Sequence, residues 1–176
     1  MANVISIVNQ KGGVGKTTTA VNLAASIAAA EHPCLLVDCD PQGNATTGMG
    51  IDRGGLSLGT YDLLFGGVSP ERAVVETYLP TLGLVPADER MIGAEVEIAS
   101  LADKEFRLKK SLESLSSAYE FILLDCPPSL GYLTVNSMTA SSGVLVPLQC
   151  EYYALEGLSQ LLRTVKAIRR SLNPGL

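Results

Sequence analysis

The chain predicts an α/β protein with a mostly parallel sheet and helices on both faces. Three observations predict it. Short apolar runs alternate with helical patterns along the 176 residues, the order that lays parallel strands side by side. A glycine-rich turn, Lys11-Gly-Gly-Val-Gly-Lys-Thr-Thr18, joins the first apolar run to the first helical pattern. Aspartates follow two further apolar runs, at Asp38 and Asp125, and in open α/β sheets ligands bind beyond the carboxyl ends of the strands.

The first strand is read from Val4, Ile5, Ile7 and Val8. The turn after it has the chemistry of a P-loop. Glycines 12, 13 and 15 let the backbone wrap a polyphosphate, with Val14 between them, and aim N–H groups inward. Lys16 adds a point charge at the β/γ-phosphates, and Thr17 offers a hydroxyl to Mg²⁺. The helix over 16–30, with Ala20, Leu23, Ala24, Ile27 and Ala28 at helical spacing, presents its positive N-terminus to the phosphates. The fold expected is therefore that of the P-loop NTPases. Gln10 stands where the strict P-loop pattern places its first glycine, and a second lysine, Lys11, follows it. Two cations at one loop mouth repel unless extra negative charge meets them. A nucleotide held by a partner subunit supplies such charge.

Further along, Cys34–Val37 is a second strand ending at Asp38, and residues 41–59, rich in Gly, Asn, Thr and Ser, form a loop over the site. Tyr61–Phe65 is one helical turn, and Leu82–Val85 a third strand. Helices are expected over 88–99 and 101–118, the latter with Leu101, Leu108, Leu112 and Leu115 on one face. Phe121–Leu124 is a buried strand ending at Asp125, and Val144–Pro147 a fifth. A last helix over about 154–172 carries Leu155, Leu158, Leu161, Leu162, Val165 and Ile168, and stops at Asn173-Pro174-Gly175.

Length and composition fit one domain with a sizeable core: 47% of residues are hydrophobic and 18% charged. No apolar run reaches the ~18 residues of a membrane span, and no signal peptide is expected at the N-terminus, so the chain is expected in the cytoplasm. A net charge of −5 excludes general affinity for nucleic acid or anionic membrane. The four cysteines, at 34, 39, 126 and 150, lack metal-ligand spacing and read as small buried hydrophobes. His32, beside Pro33, reads as a surface turn residue.

The acids carry the remaining chemistry. Asp125, ending an apolar strand, has the form of a Walker B group that holds Mg²⁺ directly or through water. Asp40, in Asp38-Cys-Asp-Pro-Gln-Gly-Asn44, suits a carboxylate that orients the attacking water. Phosphoryl transfer asks for positioning and charge stabilisation more than for a strong base. Asp38 fits a turn or cap equally well.

Taken together, Lys11-Gly-Gly-Val-Gly-Lys-Thr-Thr18, Asp38-Cys-Asp-Pro-Gln-Gly-Asn44 and Asp125-Cys-Pro-Pro-Ser129 resemble the deviant Walker A ATPases of the ParA/MinD superfamily, and most closely its ParA/Soj branch. Pro86-Ala87-Asp88, Gly93-Ala94-Glu95 and Pro147-Leu-Gln-Cys-Glu-Tyr-Tyr-Ala-Leu-Glu-Gly157 extend the resemblance over the whole chain. It implies ATP and Mg²⁺ as cofactors and a slow, partner-stimulated ATPase. Lys11 would reach across an ATP-sandwich homodimer, Lys16 would be the P-loop lysine and Thr18 would contact the α-phosphate. Thr17 and Asp125 would serve the metal, Asp40 the hydrolytic water and the metal site. Pro127 and Pro128 would form a switch segment, with Asp38 and Asn44 as lesser candidates. The resemblance also implies chromosome or plasmid segregation, a ParB-like centromere-binding partner, nonspecific DNA bound by the full-length protein, nucleoid association and no membrane.

Family members continue past the position of Leu176, so the chain reads as the N-terminal portion, with the main DNA-contacting residues beyond it. The basic stripe Arg163, Lys166, Arg169 and Arg170 is read as a solvated helix face. The alternative is a MinD-like membrane-cycling ATPase, which needs a C-terminal amphipathic helix. An iron–sulfur relative needs a symmetric cysteine pair, and Cys126 and Cys150 lack the company for it.

Overall fold

The structure, a computed structural model, describes residues 2–150 and 154–176. Its strands are β1 (Asn3–Ile7), β2 (Cys34–Asp38), β3 (Val75–Glu76), β4 (Leu82–Val85), β5 (Phe121–Asp125) and β6 (Gly143–Leu145). They form one sheet in the order β3-β4-β2-β5-β1-β6. Every pairing is parallel except β3 with β4. The helices are α1 (Lys16–Ala29), α2 (Asn44–Gly48), α3 (Thr60–Phe65), α4 (Met91–Ile98), α5 (Arg107–Leu115), α6 (Tyr132–Ala140) and α7 (Ala154–Ser171).

Alternation along the central strands divides the core in two. Leu36, Leu84 and Leu123 face one side with Ala20, Ala24 and Ala28 of α1. These alanines at i, i+4 spacing let the helix lie close on the sheet. Leu35, Val37, Ile122 and Leu124 face the other side, against Leu63, Leu108, Leu112, Leu133 and Met138. Strands buried on both faces read as continuous apolar runs, which is why β2 and β5 stand out in the sequence.

Register positions the site. Ile7 of β1 and Asp38 of β2 both pair with Asp125 of β5. The loops that follow these neighbouring strands therefore leave the sheet side by side at its carboxyl edge.

The structure corrects several expectations. The loop expected over 41–59 contains α2 and a 3-10 turn, Arg53–Gly55. The helix expected over 101–118 spans only 107–115, because residues 101–106 turn before it. The helix over 88–99 shortens to α4, since Asp88 folds back onto Arg90 through its side chain. Strand β3 and helix α6 were not expected at all. Cys150 is exposed, unlike the three buried cysteines. Leu162 of α7 is also exposed, while Leu161 and Ile168 are buried and Arg163, Lys166, Arg169 and Arg170 line the solvated face. His32 is exposed and pairs with Glu120 at 2.9 Å. Of the motif expected over 147–157, residues 151–153 lie outside the described residues.

Candidate nucleotide-binding site

The loops after β1, β2 and β5 enclose a pocket of about 480 Å³. From the first come Gly12, Gly13, Gly15, Lys16, Thr17 and Thr18; from the second Asp40, Gln42 and Asn44; from the third Pro128. Gly13 and Gly15 hold positive φ, 74° and 88°, the left-handed region that side chains resist. The resulting turn runs straight into α1, whose first residue is Lys16 and which has no side-chain N-cap. Its first-turn N–H groups are thus left for a ligand.

Lys16 is buried, and its Nζ donates to the Lys11 carbonyl at 3.2 Å. Burial lowers its pKa, while Asp125 and Asp40 pull the other way. Asp125 is fully buried, and among the described residues neither carboxylate oxygen accepts a well-formed hydrogen bond. Burial pushes its pKa up to about 7; the nearby Thr17 hydroxyl opposes the rise, Asp38 and Asp40 add to it, and Lys16 opposes it. An orphaned buried carboxylate is costly unless something meets its charge. Mg²⁺ fits that place. It binds through one or two protein oxygens and takes its other ligands from phosphates and water, and Thr17 and Asp125 supply such oxygens. Among the described residues no cluster of three or more acids, histidines or cysteines could hold a metal alone.

Asp40 is buried, with Oδ1 accepting the Gln42 N–H at 2.9 Å. Asp38 behaves differently. Its Oδ2 accepts both the N–H and the hydroxyl of Thr46, at 2.8 and 2.6 Å, and its Oδ1 accepts the Asp40 N–H at 3.2 Å. It is fully buried, raised to about 6 by burial against those hydrogen bonds, and does not line the pocket. Both carboxylate oxygens are thus committed to backbone or hydroxyl donors of the loop.

The remaining sequence-predicted residues divide. Asn44 and Pro128 reach the pocket, whereas Pro127 is buried beside it and Val14 packs inward. Lys11 does not line the pocket; its N–H donates to Asn9 Oδ1 at 3.0 Å. Three residues escaped the sequence reading. Asn9, buried at the end of β1, also donates to the Pro147 carbonyl at 2.8 Å. Glu95 of α4 caps α6, accepting the Tyr132 and Leu133 N–H groups at 2.8 and 3.2 Å. Arg53 bonds the loop after β2. The Gly93-Ala94-Glu95 stretch was the available signal for Glu95, and Asn9 at a strand end was a weaker one. Arg53 had none.

Known proteins resemble this chain in sequence and fold. A family model described as AAA domain matches residues 2–176. The chromosome partitioning protein ParA of Caulobacter vibrioides is 51% identical over 175 residues, covering 98% of this chain and 66% of that protein. The sporulation initiation inhibitor protein Soj of Bacillus subtilis is 49% identical, covering 100% of this chain and 70% of that one. Among solved structures, cobyrinic acid a,c-diamide synthase of Mycobacterium smegmatis, with bound ADP and magnesium, superposes with a TM-score of 0.95 at 41% identity, covering 100% of this chain and 71% of the other. The chain thus spans about two thirds of the length of these relatives. With the model spanning nearly every residue and half the positions identical to partitioning proteins, the chain belongs to the ParA/Soj family of the AAA domain.

Proposed function

We propose that the chain binds MgATP and hydrolyses it slowly, as the nucleotide switch of a DNA-partitioning system. The observation that carries this reading is the orphaned carboxylate of Asp125 beside Thr17 and Lys16, next to a glycine loop that lines one pocket. Gly12, Gly13, Val14 and Gly15 wrap the β-phosphate, Lys16 meets the β/γ oxygens and Thr18 the α-phosphate. Thr17 and Asp125 hold the metal, whose bound charge neutralises the phosphate oxygens. Asp40 faces the γ-phosphate end of the pocket and orients the attacking water, through its oxygen not taken by Gln42. Lys11 acts on the nucleotide of a partner subunit in an ATP-dependent homodimer. Pro127 and Pro128 link nucleotide state to that dimer.

A partitioning role is favoured over a biosynthetic one because identity to partitioning proteins, 51% and 49%, exceeds the 41% to the synthase. The longer protein then binds nonspecific DNA in its dimeric state, associates with the nucleoid in the cytoplasm and answers to a ParB-like partner. Among the described residues no helix is long and apolar enough to cross a membrane. Phosphate release from MgATP by the full-length parent, with and without DNA and the ParB-like partner, tests the reading. Stimulation by the two together supports it. Stimulation by anionic vesicles instead would establish the MinD-like alternative.

A further inference from the structure

Arg53 opens the 3-10 turn Arg53–Gly55, after a cap in which Asp52 accepts the Gly54 N–H at 3.1 Å. Among the described residues its guanidinium donates to backbone carbonyls. Nη1 donates to Gln42 at 2.6 Å and Nη2 to Pro41 at 2.9 Å, both in the loop after β2. Nε donates to Ala87 at 3.0 Å and Nη2 also to Asp88 at 3.4 Å, in the loop after β4. One planar fork thus ties together the loops that leave the neighbouring strands β2 and β4.

Gly43 makes room for it. A Cβ there would collide with the guanidinium, and its φ of +64° resists a side chain independently. The fork closes a ring of bonds around the catalytic loop. Gln42 donates its N–H to Asp40 Oδ1, and its carbonyl accepts from Arg53. Ala87 gives its N–H to the Thr46 hydroxyl, at 2.9 Å, and its carbonyl to Arg53. Thr46 in turn binds Asp38, which holds the Asp40 N–H. Asp40 is therefore fixed at its own amide and at one carboxylate oxygen by groups that Arg53 anchors.

We infer that Arg53 is a positioning residue for Asp40: its four carbonyl bonds set where the Asp40 carboxylate stands in the nucleotide pocket. The inference rests on the proposed hydrolysis of MgATP. Arg53 does not line the nucleotide pocket, so its effect falls on the transition state, where Asp40 acts, and not on ground-state affinity. Lysine cannot replace it, because a single ammonium lacks the fork that reaches two loops at once.

The test uses Arg53→Ala and Arg53→Lys in the full-length parent. Hydrolysis should fall about tenfold to a hundredfold in kcat for both, with KM for MgATP within about threefold, the pattern of a misplaced catalytic group. Millimolar guanidine should restore part of the Arg53→Ala rate and none of the Arg53→Lys deficit. Amide exchange over residues 41–47 and 86–88, without nucleotide, should quicken in both variants. If Arg53→Ala fails to fold, Arg53→Lys carries the test alone. Wild-type kcat in a folded variant, or a loss confined to KM, overturns the inference while the proposed function stands. A wild-type protein that turns over no MgATP overturns the proposed function. Unchanged exchange over 41–47 overturns the clamp whatever the activity.

Discussion

Lys16 Nζ donates to the backbone carbonyl of Lys11 at 3.2 Å, so the two lysines of the glycine loop are joined, side chain to main chain. A buried ammonium is thereby held at the floor of the pocket by a neutral acceptor, within the field of Asp125 and Asp40. A phosphate offers it a charged acceptor, and hydrogen bonds to ionised partners are roughly twice as strong. The loop therefore arrives with its cation already pointed into the phosphate site, and little side-chain entropy remains to be lost on binding.

The pH dependence of Asp125 separates its burial from its metal role. Burial raises Asp125 to about 7 and Asp38 to about 6, against an ordinary 3.8. The native carboxyls hold protons more tightly than the unfolded ones do. The stability they contribute is full below about pH 4 and is lost as pH rises through 6 and 7. Without nucleotide, the wild-type melting temperature should fall between pH 5 and 8 more steeply than that of Asp125→Asn. Parallel curves would remove the raised pKa.

Asp125 must ionise to hold a cation, so Mg²⁺-dependent nucleotide affinity should rise with pH through about 7 and flatten above it. Calorimetric titration at pH 6, 7 and 8 measures this. Asp125→Asn should abolish both the pH dependence and the Mg²⁺ dependence.

How much of this was legible in the sequence follows from where the signals lie. β2 and β5 announce themselves because burial on both faces gives apolar runs, and β1, though Ser6 interrupts it, is marked by the glycine loop that follows. The P-loop is contiguous, and its glycines have a mechanical reason visible without structure. Helix α6 was not legible: Thr134, Asn136, Ser137 and Thr139 are fully buried in it, so it shows no apolar stripe. Asn136 is there to accept the Leu108 N–H and to donate to the Lys104 carbonyl. Helix α2, Asn-Ala-Thr-Thr-Gly, reads as a loop until Asp38 is seen binding Thr46. Arg53, Asn9 and Glu95 act on backbone groups of other segments, and backbone partners leave no trace in side-chain patterns.

Asp40 should matter for turnover more than for binding, since a water-positioning group acts in the transition state. Asp40→Ala in the full-length parent should bind MgATP within a few-fold of wild type and accumulate as an ATP-bound dimer. Light scattering with ATP reads the outcome; a variant that stays monomeric while wild type dimerises contradicts the role.

Lys11 is proposed to act across the dimer. Lys11→Ala alone should reduce ATP-dependent dimerisation and hydrolysis. Mixed with Asp40→Ala, it should regain activity if each lysine serves the opposite nucleotide, because one hybrid site then carries Asp40 from one chain and Lys11 from the other. Activity that requires both residues in one chain would assign Lys11 to its own site.

Glu95 supplies the N-terminal cap of α6, which otherwise has none. Glu95→Ala should cost about 1–2 kcal/mol of stability, the usual value of a lost cap, and chemical denaturation measures it. The same variant should quicken amide exchange over residues 129–133, next to the Pro128 that borders the pocket. A change below ~0.5 kcal/mol would show that the cap is dispensable.

The central claim is that this pocket binds nucleotide phosphates through Lys16. Titration calorimetry of ATP into wild type and Lys16→Ala, each with and without Mg²⁺, tests it most directly. Saturable, Mg²⁺-strengthened binding by wild type, weakened at least tenfold in Lys16→Ala by loss of a charge-assisted contact of about 1.5–3 kcal/mol, is the predicted result. Equal ATP affinity in the two proteins, with Lys16→Ala folded, would contradict it.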